Sequence, residues 1–170
     1  AKTLLFFHGA NPSIKYGGMA MESKKEIYDL IPKNWIPKTI FISLEHHFKE
    51  ILSQLKSQEI KFPVILKPDI GLKGLGVVEI KNLTELEYYH KNNNYDFLIQ
   101  EKINYQNEVG IFYYRFPDEA KGKITGMVKK EFLSVKGNGK STLRELVMEN
   151  PRSAFQIKAI EQKMGNEMQT

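Results

Sequence analysis

Residues 62–80, FPVILKPDIGLKGLGVVEI, set a lysine at the end of an apolar run and a glycine-rich loop directly after it. Val64, Ile65 and Leu66 precede Lys67; Gly71, Gly74 and Gly76 follow, and a second apolar run starts at Val77. Clusters of β-branched residues favour strands. Glycines permit positive φ and let backbone N–H groups approach an anion closely. The stretch therefore reads as strand, phosphate-covering loop, strand, with the Lys67 ammonium at the strand end pointing at the phosphates. In isolation, a lysine before a glycine-rich hairpin is more often only a hairpin, so its chemistry depends on what accompanies it.

Two other basic clusters bear on anion chemistry. Lys24 and Lys25 fall in the first turn of a helix read over residues 22–31, where cations oppose the helix dipole. That placement makes sense if an anion binds nearby, and surface decoration competes with it. Residues 135–142, VKGNGKST, approach the P-loop pattern G-x-x-x-x-G-K-[ST], with Gly139, Lys140 and Ser141 in place but Ser134 at the first glycine position. A P-loop also normally opens its domain, and only a short tail follows this one. A kinase or ATPase using Lys140 is the alternative reading. On the strand before it, Lys129 and Lys130 alternate faces, so only one can point inward. Lys130, two residues from apolar Phe132, is the candidate, against an exposed edge-strand lysine. His46 and His47 are adjacent and cannot form an i, i+4 metal pair on a helix.

Composition bounds these readings. The chain has 170 residues, 41% hydrophobic and 26% charged, ordinary values for a globular protein able to bury a core. A formal net charge of +5 favours anionic partners, but the basic residues are dispersed, as on a solvated surface. The absence of cysteine excludes disulfides and thiolate metal sites and is compatible with a cytoplasmic setting. No run of transmembrane length and no secretory signal is visible, so no membrane partner is expected. A non-catalytic basic binding module is a further alternative. The eight tyrosines and ten phenylalanines fall mostly on positions read as core-facing, and no basic-aromatic stripe stands out, so nucleic acid is not the expected partner.

The elements that must carry these residues follow from periodicity and breakers. Strands are read over residues 3–7, 39–42, 64–67, from Val77, and over 97–103, 108–116 and 123–135. Helices are read over 22–31, over 44–57 with Ser43 as cap, and over 83–91 with a Thr84–Glu87 capping box. Two more follow, over 142–148 with Ser141 as cap and over 152–164. Residues 9–18 and 117–122 are turns. The order gives an α+β, mixed α/β chain with antiparallel pairs.

Together these residues resemble the nucleotide-binding half of ATP-grasp enzymes, the superfamily of D-alanine–D-alanine ligase, over roughly residues 20 to 145. Lys24 in MESKKEIYDL matches the family's first phosphate lysine, and Lys67 in VILKPDIGLKGLGV matches its second. Leu98-Ile99-Gln100-Glu101-Lys102-Ile103 matches the adenine hinge, with the backbone from about Lys102 to Asn104 facing the adenine edge. Glu108 in NYQNEVGI takes the place of the ribose-binding glutamate. Their plainer readings are a strand-end charge paired with a lysine for Glu108, and a cross-strand surface pair for Glu101 and Lys102. VKGNGKST resembles the V-x-G-[DN]-G-K-x-T stretch of cyanophycin-synthetase-like ligases.

The resemblance implies a two-lobed ATP-grasp fold with antiparallel sheets and a glycine-rich flap. Residues 1–20 would end a preceding domain or form a substrate loop, 21–104 would be the N-terminal lobe, and 105–170 the start of the C-terminal lobe. It implies ATP and Mg²⁺ as cofactors, and small-molecule carboxylate and amine substrates joined through an acyl phosphate. A carboxylate–thiol ligase and a homodimer are also compatible with it. The family's closely spaced metal-binding glutamate and asparagine are not found; Glu161, Asn166 and Glu167 do not lie on a strand with the needed alternation. The C-terminal part of the domain is thus expected to be missing, with the metal ligands outside this chain.

Overall fold

A computed structural model describes residues 9, 11–18, 21–71, 74–131, 133–165 and 168. The strand expected at residues 3–7 lies outside them, as do Leu72 and Lys73 of the glycine-rich loop, Phe132, Asn166 and Glu167. The chain divides into two compact units, Ala1–Asn104 and Tyr105–Thr170.

The first unit contains α1 (Lys24–Leu30), β1 (Thr39–Ile42), α2 (Phe48–Ser57), β2 (Val64–Pro68), β3 (Val78–Ile80), α3 (Leu83–Asn92) and β4 (Phe97–Glu101). The strands form one antiparallel sheet in the order β1-β4-β2-β3. Alternation sorts their side chains. Ile40, Ile42, Val64, Leu66, Ile80, Phe97 and Ile99 face Ile51 and Leu55 of α2 and Leu86 of α3 in a buried core. Central β4 is buried on its other face too, through Leu98 and Gln100.

Several boundaries differ from those expected. α2 starts at Phe48, not Leu44, because the Glu50 carboxylate accepts the His47 N–H at 2.7 Å and fixes the start there. Ser43 does not cap it; its hydroxyl meets His46 Nδ1 at 2.7 Å. α3 is capped by Asn82, whose side-chain oxygen accepts the Glu85 N–H at 3.0 Å, not by a Thr84–Glu87 box. Asparagine is among the strongest N-caps, and here it lies at the turn entry. β4 stops at Glu101, short of residue 103.

The second unit holds the hairpin β5 (Glu108–Tyr114) and β6 (Lys123–Lys130), then α4 (Leu143–Glu149), α5 (Pro151–Ala154) and α6 (Ile157–Met164). The hairpin is antiparallel, with an irregularity between Phe112 and Tyr113. β6 ends five residues before the expected boundary at residue 135. Thr142, not Ser141, caps α4, its hydroxyl accepting the Glu145 N–H at 3.3 Å while the Glu145 carboxylate accepts the Thr142 N–H at 2.9 Å. The single last helix is interrupted by a turn in which the Gln156 N–H reaches Ser153 O at 2.9 Å. The aromatics expected to face a core are largely exposed here: Tyr105, Phe112, Tyr113, Phe116 and Phe155. A lone pair of strands has only one layer and buries little. Among the described residues no helix is long and apolar enough to cross a membrane.

Candidate functional site

The face of the first sheet opposite α2 and α3 carries the chemistry. β2 places Lys67 opposite Leu98 and Ile65 opposite Gln100. β1 places Thr39 opposite Gln100 and Phe41 opposite Leu98, and Glu79 of β3 stands opposite Ile65. Directly opposed residues share a face, so all of these project to the same side. The Lys67 ammonium donates to the Gln100 side-chain oxygen. The Gln100 amide donates to Thr39 Oγ1 at 2.7 Å, and that hydroxyl donates to Pro37 O at 2.7 Å. The relay holds the lysine over the sheet, and Gln100, at 5% exposure, has both ends of its amide satisfied. Sequence reading passed over Gln100 as part of the hinge strand; its signal was a polar residue in an apolar run, in phase with Thr39.

Lys67 leads straight into the glycine-rich loop. Gly74 and Gly76 adopt φ of 73° and 71°, the left-handed region, whereas Gly71 does not. A Cβ on Gly76 would stand 2.7 Å from Pro68 Cγ. Among the described residues nothing stands within 4 Å of a Cβ built on Gly74. Lys24 is brought to the same loop. Its ammonium donates to the carbonyls of Pro68 at 2.9 Å, Asp69 at 3.0 Å and Gly71 at 3.3 Å.

The hinge residues occupy the other end of the β2–β4 pair. Val64 opposes Glu101, so Lys67 lies three residues, about 10 Å, farther along the strand. The Glu101 carboxylate accepts the Lys38 N–H at 2.8 Å, a structural use. Lys102 pairs with Glu79 at 2.8 Å, the cross-strand contact that was the plainer reading of that residue. Ile103 is exposed. Beyond Glu101 the chain leaves the ladder, and a cavity of about 530 Å³ opens beside Lys38, Phe62, Glu101, Lys102 and Asn104. A second cavity of about 420 Å³ lies between α1 and the same face of the sheet, lined in part by Tyr28, Asp29, Thr39, Phe41 and Leu98. Hydrogen bonds from Lys25 at 2.7 Å and Lys33 at 3.2 Å hold the Asp29 carboxyl below its usual range.

The remaining candidates belong to the second unit. Glu108 and Lys130 face each other across β5 and β6 and form an ion pair at 2.9 and 3.0 Å, the plainer reading of Glu108. In VKGNGKST the Asn138 side-chain oxygen accepts the N–H groups of Lys140 at 2.9 Å and Ser141 at 2.8 Å. Those are amides that a P-loop offers to phosphate, and here asparagine takes them. Among the described residues no three His, Asp or Glu side chains cluster as a metal site.

This architecture recurs in a solved enzyme. The ADP complex of N5-carboxyaminoimidazole ribonucleotide synthetase superposes with a TM-score of 0.50 at 14% identity, over 82% of this chain and 38% of that one. The fold is that of ATP-grasp enzymes. D-alanine–D-alanine ligases from Helicobacter pylori and Bacillus anthracis are also similar to it, at 15% and 16% identity and TM-scores of 0.46 and 0.40. This chain covers 43% and 49% of their lengths, with 84% of its own residues in each case. The chain spans less than half the length of each of these enzymes. No protein-family model matches the sequence, and no curated protein matches it.

Proposed function

We propose that this chain binds ATP on the Lys67 face of its four-stranded sheet, as the nucleotide-binding part of an ATP-dependent carboxylate–amine ligase. The observation that carries the reading is the Lys67 ammonium, held on that face by Gln100 at the foot of a loop whose Gly74 and Gly76 are left-handed. The donor set suits a polyphosphate: a fixed cation beside a glycine-rich loop. Adenine would lie toward Lys102, Ile103 and Asn104, where the chain has left the ladder, with Ile65 supplying apolar surface on the same face as Lys67. By the resemblance alone, Glu108 of the second unit is the candidate for the ribose hydroxyls, a diol that a carboxylate binds through two acceptors; in the structure it pairs with Lys130.

ATP, when bound, would supply the phosphoryl group that activates a small carboxylic acid toward an amine. Mg²⁺ would accompany the nucleotide and take its protein ligands from outside the described residues. A reducing cytoplasm fits a cysteine-free chain, and small-molecule substrates and a homodimer are what the resemblance implies. Calorimetric titration with Mg-ATP tests the reading. The expected result is saturable binding that Lys67→Ala weakens at least tenfold, the loss of roughly one charge-assisted hydrogen bond. An affinity unchanged in Lys67→Ala would overturn it.

A further inference from the structure

The start of α1 and the first leg of the glycine-rich loop are joined by a dense set of hydrogen bonds that phosphate binding does not explain. Asp69, nearly buried, accepts the Ser23 hydroxyl at 3.0 Å and the Lys25 N–H at 2.9 Å on one carboxylate oxygen. The Lys24 N–H donates to Asp69 O at 3.1 Å, and Ser23 bridges to Ile70 as an isolated antiparallel pair. The Ser23 hydroxyl also accepts the Glu26 N–H at 3.1 Å, so one side chain caps α1 and ties it to the loop. The Lys24 ammonium then completes the set. An ammonium has three donors, and here they meet the carbonyls of Pro68, Asp69 and Gly71. Three carbonyls from a four-residue span converging on one cation fix that backbone, since each would otherwise be drawn toward water.

We infer that Lys24, with Ser23 and Asp69, is a positioning latch that clamps residues 68–71 to α1, and that Lys24 holds the loop rather than the nucleotide. Its consequence for binding rests on the ATP reading above; the latch itself does not. Lys67 immediately precedes the clamped span, so the latch sets where the strand ends and where the loop amides begin. Sequence spacing cannot reveal this, because the acceptors are backbone carbonyls.

Amide hydrogen exchange on the nucleotide-free chain tests the latch directly. In Lys24→Met, exchange at the Lys25 and Asp69 amides, which donate to Asp69 Oδ1 and Asp96 O, is expected to accelerate at least tenfold, while amides of α3 and β4 keep their wild-type rates. Ser23→Ala, which leaves the lysine in place, is expected to loosen the same amides. Mg-ATP affinity is expected to fall by a similar factor in both variants, because both act through the loop. Wild-type exchange at the Lys25 and Asp69 amides in Lys24→Met would overturn the latch. So would an ATP affinity lost only in Lys24→Met and kept in Ser23→Ala, the mark of a direct phosphate ligand. If the wild-type chain binds no ATP, the exchange result still decides the latch, and the ATP reading fails separately.

Discussion

The Lys67 ammonium and the Gln100 side-chain oxygen meet as diagonal neighbours on β2 and β4, on the face opposite α2 and α3. The contact occupies one of the lysine's three donors and orients the rest. Gln100→Ala removes both this contact and the bond to Thr39. The variant is expected to lose about 1–3 kcal/mol of stability in urea unfolding, the cost of leaving buried polar groups unpaired. Its Mg-ATP affinity is expected to fall less than that of Lys67→Ala, because the charge remains.

The two left-handed glycines are not equivalent. At Gly76 an alanine meets both an unfavourable φ of 71° and Pro68 Cγ at 2.7 Å; at Gly74 only the backbone penalty applies, with φ 73°. Gly74→Ala is expected to cost about 1–2 kcal/mol by thermal or chemical unfolding. Gly76→Ala is expected to cost more, and equal losses would show that the Pro68 contact relaxes freely.

Leu66 and Leu86 join the sheet to α3 and are fully buried. Leu66→Ala or Leu86→Ala is expected to lower unfolding free energy by about 2–5 kcal/mol, through lost burial and the cavity left behind. Exposed Leu44, which lies in a turn and not in α2 as its spacing suggests, is expected to tolerate alanine within about 0.5 kcal/mol.

Lys140 separates the ATP-grasp reading from its P-loop alternative. With the Lys140 and Ser141 amides on Asn138, Lys140→Ala is expected to leave Mg-ATP affinity within about twofold of wild type. A tenfold loss in that variant, with Lys67→Ala unaffected, would move the nucleotide to the second unit.

The strands of the first sheet were legible because alternation is enforced by one buried face: Val64, Leu66, Ile40 and Ile42 declare it directly. Helix starts were less so. Several capping residues stand near each start: Asn82 prevails over Thr84 because its side-chain oxygen reaches the Glu85 N–H, and His47 over Ser43 because the Glu50 carboxylate reaches back to the His47 N–H. Lys67 before its glycine loop was legible from residue type and order. The destination of Lys24 was not, since carbonyl acceptors carry no sequence signature. Nor was the exposure of Phe112 and Tyr113, because periodicity marks which residues share a face and not whether another layer covers it.

Residue-resolved NMR of the chain titrated with Mg-ATP tests nucleotide binding on the Lys67 face most directly. Saturating shifts at the amides of residues 69–71, 74–77 and 102–104, with residues 138–142 unmoved, are the predicted result. Shifts centred on 138–142, or none anywhere at millimolar nucleotide, would contradict it.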